Sequence, residues 1–481
     1  MPIWCRPSER RLLVASLLAT SSLGAQSPAS SAIQPVASVR LRAESWDWFD
    51  AGPEGRYGLG HALARVGATQ RTGAWQWRVE AGASLITGLP SDAVRPAPAG
   101  QLGLGGTYFA ANGQKESVSA IFLRQAWLRW ARNGHAVRAG RMDFSDGVER
   151  APKDATLSAL KAQRVGQRLI GIFGFSAVQR AFDGAHYTID HGATNFTALA
   201  VRPTAGAYRA EAQEGLNVDL AYAAFSRGRV RSSSEMDVRL FGMWYADRRS
   251  TIPSDNRPLA VRQADRGDIR VATIGGHWAA TRRVGRATID GLAWGAVQTG
   301  DWGAQAHGAN ALALEGGVQH ASLPWALWLR GGWLRASGDA TASDARHGSF
   351  FQVMPTPRVY ARFPFYNLMN SSELFVTVAA KPRRTVGLRG GVHALSLTEP
   401  NDLWYLGGGA FDGRVFGYVG RPSNGAASLA TVADLSVTWQ ATPHVGVEFY
   451  GATARGGDVI SRIYNGSRSA RFFYLETTLT R

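Results

Sequence analysis

The chain has a single cysteine among its 481 residues, Cys5, so a disulfide framework and thiolate metal sites are excluded. Lysine is almost as scarce. Lys115, Lys153, Lys161 and Lys381 are the only Lys among 53 basic residues. After residue 25 no run of 18 apolar residues occurs, so no segment suits a membrane-spanning helix. Catalytic signatures are missing too. There is no Gly-x-Ser-x-Gly, no His-Glu-x-x-His and no phosphate-binding glycine loop. His61, His186, His277, His320 and His393 stand singly, so no cofactor, metal site or enzymatic activity is expected. A hydrolase with a Ser/His site on its wall is a remaining alternative, but no nucleophile stands out. Nucleic acid is an unsuitable partner, because the positive charge is spread at strand period rather than massed in one arm.

What is present begins with a secretory signal over residues 1–25. Arg6, Arg10 and Arg11 form a basic start, Leu12 to Leu23 a short apolar stretch, and Leu23-Gly24-Ala25 a small-residue cleavage site. Its removal takes away three Arg and one Glu, so the net charge of +17 falls to +15. An Arg-rich excess points to anionic partners.

The rest, residues 26–481, reads as one all-β domain. Strand-like segments fall at 36–49, 57–70, 74–86, 118–131, 135–145, 181–190, 193–202, 215–226 and 235–247. They continue at 268–280, 285–299, 308–320, 324–337, 372–381, 384–398, 427–440, 444–456 and 470–480. The gaps alternate in length. Tight turns are expected at Arg132-Asn133-Gly134, Asp190-His191-Gly192, Arg282-Arg283-Val284, Ser322-Leu323-Pro324, Lys381-Pro382-Arg383 and Ala441-Thr442-Pro443. Long loops are expected at 87–117, 146–180, 248–267, 338–371 and 399–426, with a short helix within 152–170. An even strand count with short turns at one end and long loops at the other predicts a transmembrane antiparallel β-barrel of about 18 strands. Its turns would be periplasmic and its loops extracellular, in a bacterial outer membrane. A soluble β-sandwich would also alternate, but it would not gather its long loops at one end.

Period-two alternation assigns the faces. Val39, Leu41 and Ala43 oppose Arg40, Arg42 and Glu44. Trp75, Trp77, Val79, Ala81, Ala83 and Leu85 oppose Gln76, Arg78, Glu80 and Ser84. Val238, Leu240 and Trp244 oppose Asp237 and Arg239; Leu435, Val437 and Trp439 oppose Asp434, Ser436 and Thr438. The apolar sets face lipid, where a mid-membrane Arg or Lys costs about 2–4 kcal/mol, and the polar sets face the lumen. Trp46, Trp48, Trp75, Trp77, Trp127, Trp130, Trp244, Tyr245, Trp325, Trp328 and Tyr450 suit interfacial girdles. A stacked aromatic path for sugar is the alternative.

The luminal set mixes signs with Arg in excess. Arg40, Arg42, Arg78, Arg239 and Arg389 face Glu44, Glu80, Asp237, Asp434 and Glu448. Cross-strand bracing accounts for individual pairs. The surplus of Arg would enrich anions in a water-filled pore.

Three stretches carry a resemblance. They are Leu123-Arg124-Gln125-Ala126-Trp127-Leu128; Val137-Arg138-Ala139-Gly140-Arg141 with Gly147 and Arg150; and Arg180-Ala181-Phe182-Asp183-Gly184. In order and spacing the chain resembles the alginate export family of outer-membrane proteins, loosely on through Phe363-Pro364-Phe365-Tyr366 to the last strand. The resemblance implies an 18-stranded barrel whose electropositive pore passes an anionic polysaccharide outward, with Arg141, Arg150, Arg180 and Asp183 together at its mouth. Partners would be an anionic polysaccharide or small anionic solute, outer-membrane lipid and lipopolysaccharide, and periplasmic export proteins. A porin taking up small anionic solutes is the alternative function.

Overall fold

The structure, a computed structural model, describes residues 32–481 except 212, 357–361 and 465–467. The expected signal segment 1–25 and Cys5 lie outside the described residues.

The first half of the wall is β1 Gln34–Asp47, β2 Arg56–Thr72, β3 Trp75–Thr87, β4 Ser117–Arg132, β5 His135–Met142, β6 Phe182–His191, β7 Thr194–Pro203, β8 Val218–Arg231 and β9 Ser234–Asp247. Next come β10 Ile269–Val284, β11 Ala287–Trp302, β12 Gln305–His320, β13 Trp328–Ala336, the two-residue β14 Arg346–His347, β15 Ser372–Arg383 and β16 Val386–Ser396. Then follow β17 Leu403–Gly407, β18 Tyr418–Pro422, β19 Ser428–Thr442, β20 Val445–Gly456 and β21 Ser469–Thr480. Each wall strand pairs antiparallel with the next. β1 pairs with β21, Ser38 opposite Thr480 and Asp47 opposite Arg471, which closes the sheet. Eighteen strands make the barrel, as expected. β14 lies alongside β12, and β17 and β18 form a hairpin in an outer loop. Closure leaves no unpaired edge in lipid.

The alternation places the faces as the pattern predicts. Ile121, Leu240, Ile274 and Leu374 are more than 60% exposed on the outside, with Phe473, Leu475 and Leu479 continuing that face on β21. Arg42, Glu44, Glu80, Asp237 and Arg239 are buried inside.

Periplasmic turns are short because their residues accept positive φ. Asn133 and Gly134 sit at φ 50° and 82°, the mirror-image turn that suits the twist of a hairpin. Three expected turns shift by one to three residues, to Gly285-Arg286, Arg384-Thr385 and Pro443-His444. Pro382 is tolerated at the end of β15 because a register break between Ala380 and Arg383 spares it a ladder bond. At the outer end one connection is not long: Gly303-Ala304 joins β11 to β12, and both Gly267 and Ala304 donate backbone N–H to Asp265.

Two expectations fail. Trp46 and Trp48 are buried inside rather than in a girdle, packed with Phe49, Phe363, Phe365, Trp404 and Phe472. Tyr245, Trp328 and Tyr450 are also buried, whereas Trp75, Trp244 and Trp325 are exposed. The loop between β5 and β6 does not stand outside the barrel. It folds into the lumen, where it meets a second inward loop: Gly171 N donates to Met354 O and Met354 N to Leu169 O, both at 2.8 Å. Helix α1 Gly103–Ala111 lies in the β3–β4 loop. Helix α2 Ala155–Arg164 is the expected short helix, N-capped by Asp154 accepting from Leu157 N.

Candidate functional site

The luminal face of the wall carries ion pairs of its own and is joined by others to the inward loop 143–181; of the predicted Arg, Arg150 and Arg239 make the wall-to-loop pairs. On β1, Arg40 donates to the carbonyls of Gly174, Phe175 and Ser176 in the loop and lies 3.6 Å from Glu476. Arg42 pairs with Glu476 and, at 3.3 Å, with Glu44, and its guanidinium sits 3.7 Å from the centre of the Phe175 ring. Glu44 also bonds His61 at 3.2 Å and accepts from the Trp46 indole at 3.0 Å. Fully buried Glu80 takes both Arg78 and Arg65.

Asp237 on β9 is the densest of these junctions. It accepts from Arg150 at 2.9 Å, Lys161 at 2.6 Å and the His277 ring at 2.9 Å. Glu235, two residues back on the same face, lies 3.4 Å from Arg150 and accepts the backbone N–H of Lys153 and Asp154. Arg239 reaches the loop carboxylates Asp146 at 3.5 Å and Glu149 at 3.2 Å. Three strands along, on β12, Glu315 receives Arg164 at 2.9 Å, Arg168 at 3.6 Å and Arg330 at 3.1 Å. Each charge at these junctions therefore has a partner, which is what low dielectric demands. The helix α2 is held between β9 and β12 by these pairs. Arg389 is half-buried on the luminal face of β16, in register with Ser436.

The expected cluster of Arg141, Arg150, Arg180 and Asp183 does not form. Arg141 and Asp183 pair across β5 and β6 at 2.7 and 2.6 Å. They share the parity of exposed Val137 and Ala139, so they lie on the outside of the wall. Arg150 and Arg180 are inside and far apart in their contacts.

Arg180 differs from the other luminal Arg. It is buried, donates to Gly408 O in the β17–β18 hairpin and lies 5.4 Å from the Phe173 ring centre. Arg421 on β18 resembles it. That side chain donates to Tyr464 Oη and Gln101 O, with Trp404 at 4.9 Å and Trp48 at 5.5 Å. Neither has a carboxylate within ion-pair distance among the described residues. Nε and Nη1 of Arg180 and Nε of Arg421 are buried without a hydrogen-bond partner there. Burial pushes the Arg180 guanidinium down to about 10, which still leaves it charged at neutral pH.

Arg421 walls a cavity of about 750 Å³ under the outer loops. Trp48, Leu104, Tyr208, Phe411 and Tyr418 also line it, so it combines aromatic surface with fixed positive charge. Asp412 at its edge is neutralised by Arg209 at 3.4 Å and Arg414 at 3.5 Å. Among the described residues no group of three His, Asp or Glu could hold a metal ion.

A family model described as alginate export matches residues 34–473. The chain belongs to the alginate export family. It is a channel protein of the bacterial outer membrane. No curated protein matches it. Among solved structures it is similar to the outer membrane protein OpdK from Pseudomonas aeruginosa, at 9% identity and TM-score 0.53, over 93% of this chain and 99% of that one. A BenF-like porin from Pseudomonas fluorescens Pf-5 is 9% identical with TM-score 0.56, over 93% and 98%. Acinetobacter baumannii OccAB2 is 9% identical with TM-score 0.57, over 93% and 98%. At such identities the likeness concerns the fold alone.

In this alginate export family barrel, several site residues escape strand periodicity. Arg164 ends α2 and Arg168 follows a turn with Gln167 at φ 61°, yet both reach Glu315, a convergence that no strand period announces. Arg421 sits in a loop hairpin with no alternating pattern to flag it.

Proposed function

We propose that this channel passes a carboxylate-bearing sugar polymer of the uronate type, moving passively outward. The observation that carries the reading is Arg421, which lines the outer cavity, together with Arg180, buried behind it against Gly408 of the same hairpin; neither is neutralised by a carboxylate among the described residues. A guanidinium fork matches a carboxylate, and aromatic side chains next to it give a sugar ring a surface to stack on. The cargo carboxylate would complete the charge balance that the protein leaves open at this point. The family match supports a polysaccharide; the paired luminal Arg hold the loops that set the width of the path.

A second reading is uptake of small anionic solutes. It is favoured by the two inward loops, which bond to each other in mid-lumen and narrow it. OpdK has also been solved with vanillate, itself a small molecule. The two readings separate in planar bilayers with uronate oligomers of increasing length. A polymer channel shows current blocks whose duration grows with chain length. Blocks by monomer alone, with long oligomers excluded, would replace export with small-solute uptake. A cation-selective reversal potential would defeat both. Residues 1–25 are proposed as a cleaved signal, which N-terminal sequencing of the mature protein checks.

A further inference from the structure

The outside of the barrel carries a second charged site, at the periplasmic end of β8 to β11. Arg227, Arg229 and Arg231 alternate on β8 with buried Ser226 and Gly228, so all three point away from the lumen. Register sets what lies beside them. Arg231 is opposite Ser234 on β9, and Ser234 is opposite Arg282 on β10; Arg229 is opposite Met236, and Met236 opposite Ala280. Arg282 is in turn opposite Ile289 on β11. Arg229 and Arg231 thus face Arg282 across Ser234 and Met236, about 10 Å away at two strand spacings.

Arg229, Arg231 and Arg282 line a groove of about 430 Å³, with Trp278 forming one wall over Gly291, and Arg227 lies next along β8. The four Arg are exposed and make no ion pair among the described residues. The nearby acids, Glu235, Asp237 and Asp290, all face the lumen and are spent on luminal partners. Just toward the membrane centre the outside is apolar, with Phe225, Leu240 and Ile274 exposed. The groove therefore sits where the hydrocarbon band meets the headgroups of the periplasmic leaflet.

We propose that this groove binds an anionic phospholipid of the periplasmic leaflet. The phosphate would lie between the Arg of β8 and Arg282, the forked geometry that guanidinium groups give phosphate. Trp278 would lie at the glycerol level, as interfacial Trp do, and the acyl chains along Phe225 and Leu240. Charge complementarity selects the headgroup: three Arg in the groove, with Arg227 beside it, make no ion pair and favour a net negative lipid over a zwitterionic one.

The test reconstitutes the full-length protein in phosphatidylethanolamine nanodiscs containing a minor fraction of brominated lipid, and reads quenching of Trp278 as the difference between wild type and Trp278→Phe. Brominated phosphatidylglycerol is expected to quench at about tenfold lower mole fraction than brominated phosphatidylethanolamine. Arg229→Ala/Arg231→Ala/Arg282→Ala should abolish the difference, and the triple Lys variant should keep most of it. High salt should weaken the preference in the wild type, which tests the proposal even where a variant fails to insert. Equal quenching by both lipids, or an unchanged preference in the Ala variant or at high salt, overturns it. An acidic periplasmic protein captured in place of any lipid preference would also overturn it, and would make the groove a protein-docking surface.

Discussion

In mid-lumen the arginines hold carboxylates, whereas toward the outer cap Arg180 and Arg421 hold carbonyls and rings. Arg150, Arg164 and Arg330 each touch one or two acids on the wall strands, and Arg239 on β9 touches Asp146 and Glu149 of the inward loop. Arg180 and Arg421 are as deeply buried, yet their charge is met only by Gly408 O, Gln101 O, Tyr464 and aromatic faces. A buried charge without a counter-charge is costly unless something else rewards it. The difference separates Arg that fix the inward loop from Arg that, on the function we propose, are left to meet cargo.

The largest way to break the comparison is to remove a carboxylate from mid-lumen. Asp237→Ala strands Lys161 and His277 in a buried setting and leaves Arg150 with Glu235 alone. Losing one partner of a buried network costs about 3–5 kcal/mol. We expect urea unfolding of the reconstituted barrel to shift by this order, the loop 143–181 to leave the lumen, and conductance to rise. In the wild type the same loop should resist proteases added to whole cells, while exposed stretches 94–98 and 340–346 are cut. Cutting within 155–170 in the wild type would contradict the inward fold.

The wall was legible in the sequence, and the filling of the lumen was not. Leu240 beside Arg239 and Val79 beside Glu80 alternate with period two, and burial on one side follows from that period alone. The same rule held for Trp46 and Trp48: both are in phase with Arg42 and Glu44, so the period sends them inside, and reading them as a girdle set aside their own parity. Arg138 and Arg141 are three apart, an odd step, so one faces the lumen and the other the outside. Grouping Arg141 with Arg150 and Arg180 by motif hid this. Nothing local connects Arg164 to Glu315 or Gly171 to Met354. Those contacts depend on where a long loop settles inside a closed barrel.

A second prediction concerns pH at the outer cap. Asp402 lies in the β16–β19 loop and accepts from Asp339 N at 3.0 Å, Leu403 N at 2.7 Å, Tyr405 Oη at 2.8 Å and Ser349 Oγ. Burial outweighs these donors and pushes its pKa up to about 6. A group with a raised folded pKa binds its proton more tightly when folded. Its contribution is therefore full below about pH 4, the ordinary Asp value, and is lost as pH rises through about 6. Hydrogen exchange in residues 397–427 should be slower at about pH 4 than at about pH 7, by up to about 3 kcal/mol of local stability. Asp402→Asn should flatten this dependence, and an unchanged slope in that variant would assign it to another group.

At the outer cavity the expected effect is on ions. Arg421→Gln removes one fixed charge beside the path without stranding a carboxylate. The anion-to-cation permeability ratio should fall roughly fivefold, on the order of 1 kcal/mol, about the Coulomb energy of one charge at 4 Å in water. The same change at Arg180 should act in the same direction. High salt should shrink both differences, since screening then reaches down to about 3 Å. Loss of conductance with unchanged selectivity would place these two residues with the braces instead.

The smallest effect is expected at Arg141. Its side chain pairs with Asp183 on the outside of the wall, where it also donates to Gln213 O at 3.0 Å and Leu123 O at 3.3 Å. The Asp183 side chain is 37% exposed, so the surroundings screen the pair, and exposed pairs contribute about 0–1 kcal/mol. Arg141→Ala should therefore lower stability by no more than about 1 kcal/mol. It should leave both conductance and ion selectivity at wild-type values, because a charge on the far side of the wall does not contact the path. Reversal-potential measurements on Arg141→Ala and Arg421→Gln in the same bilayers set the two positions against each other. If Arg141→Ala shifted selectivity as far as Arg421→Gln, the outward phase of β5 would be wrong, and with it the separation of wall charges from path charges.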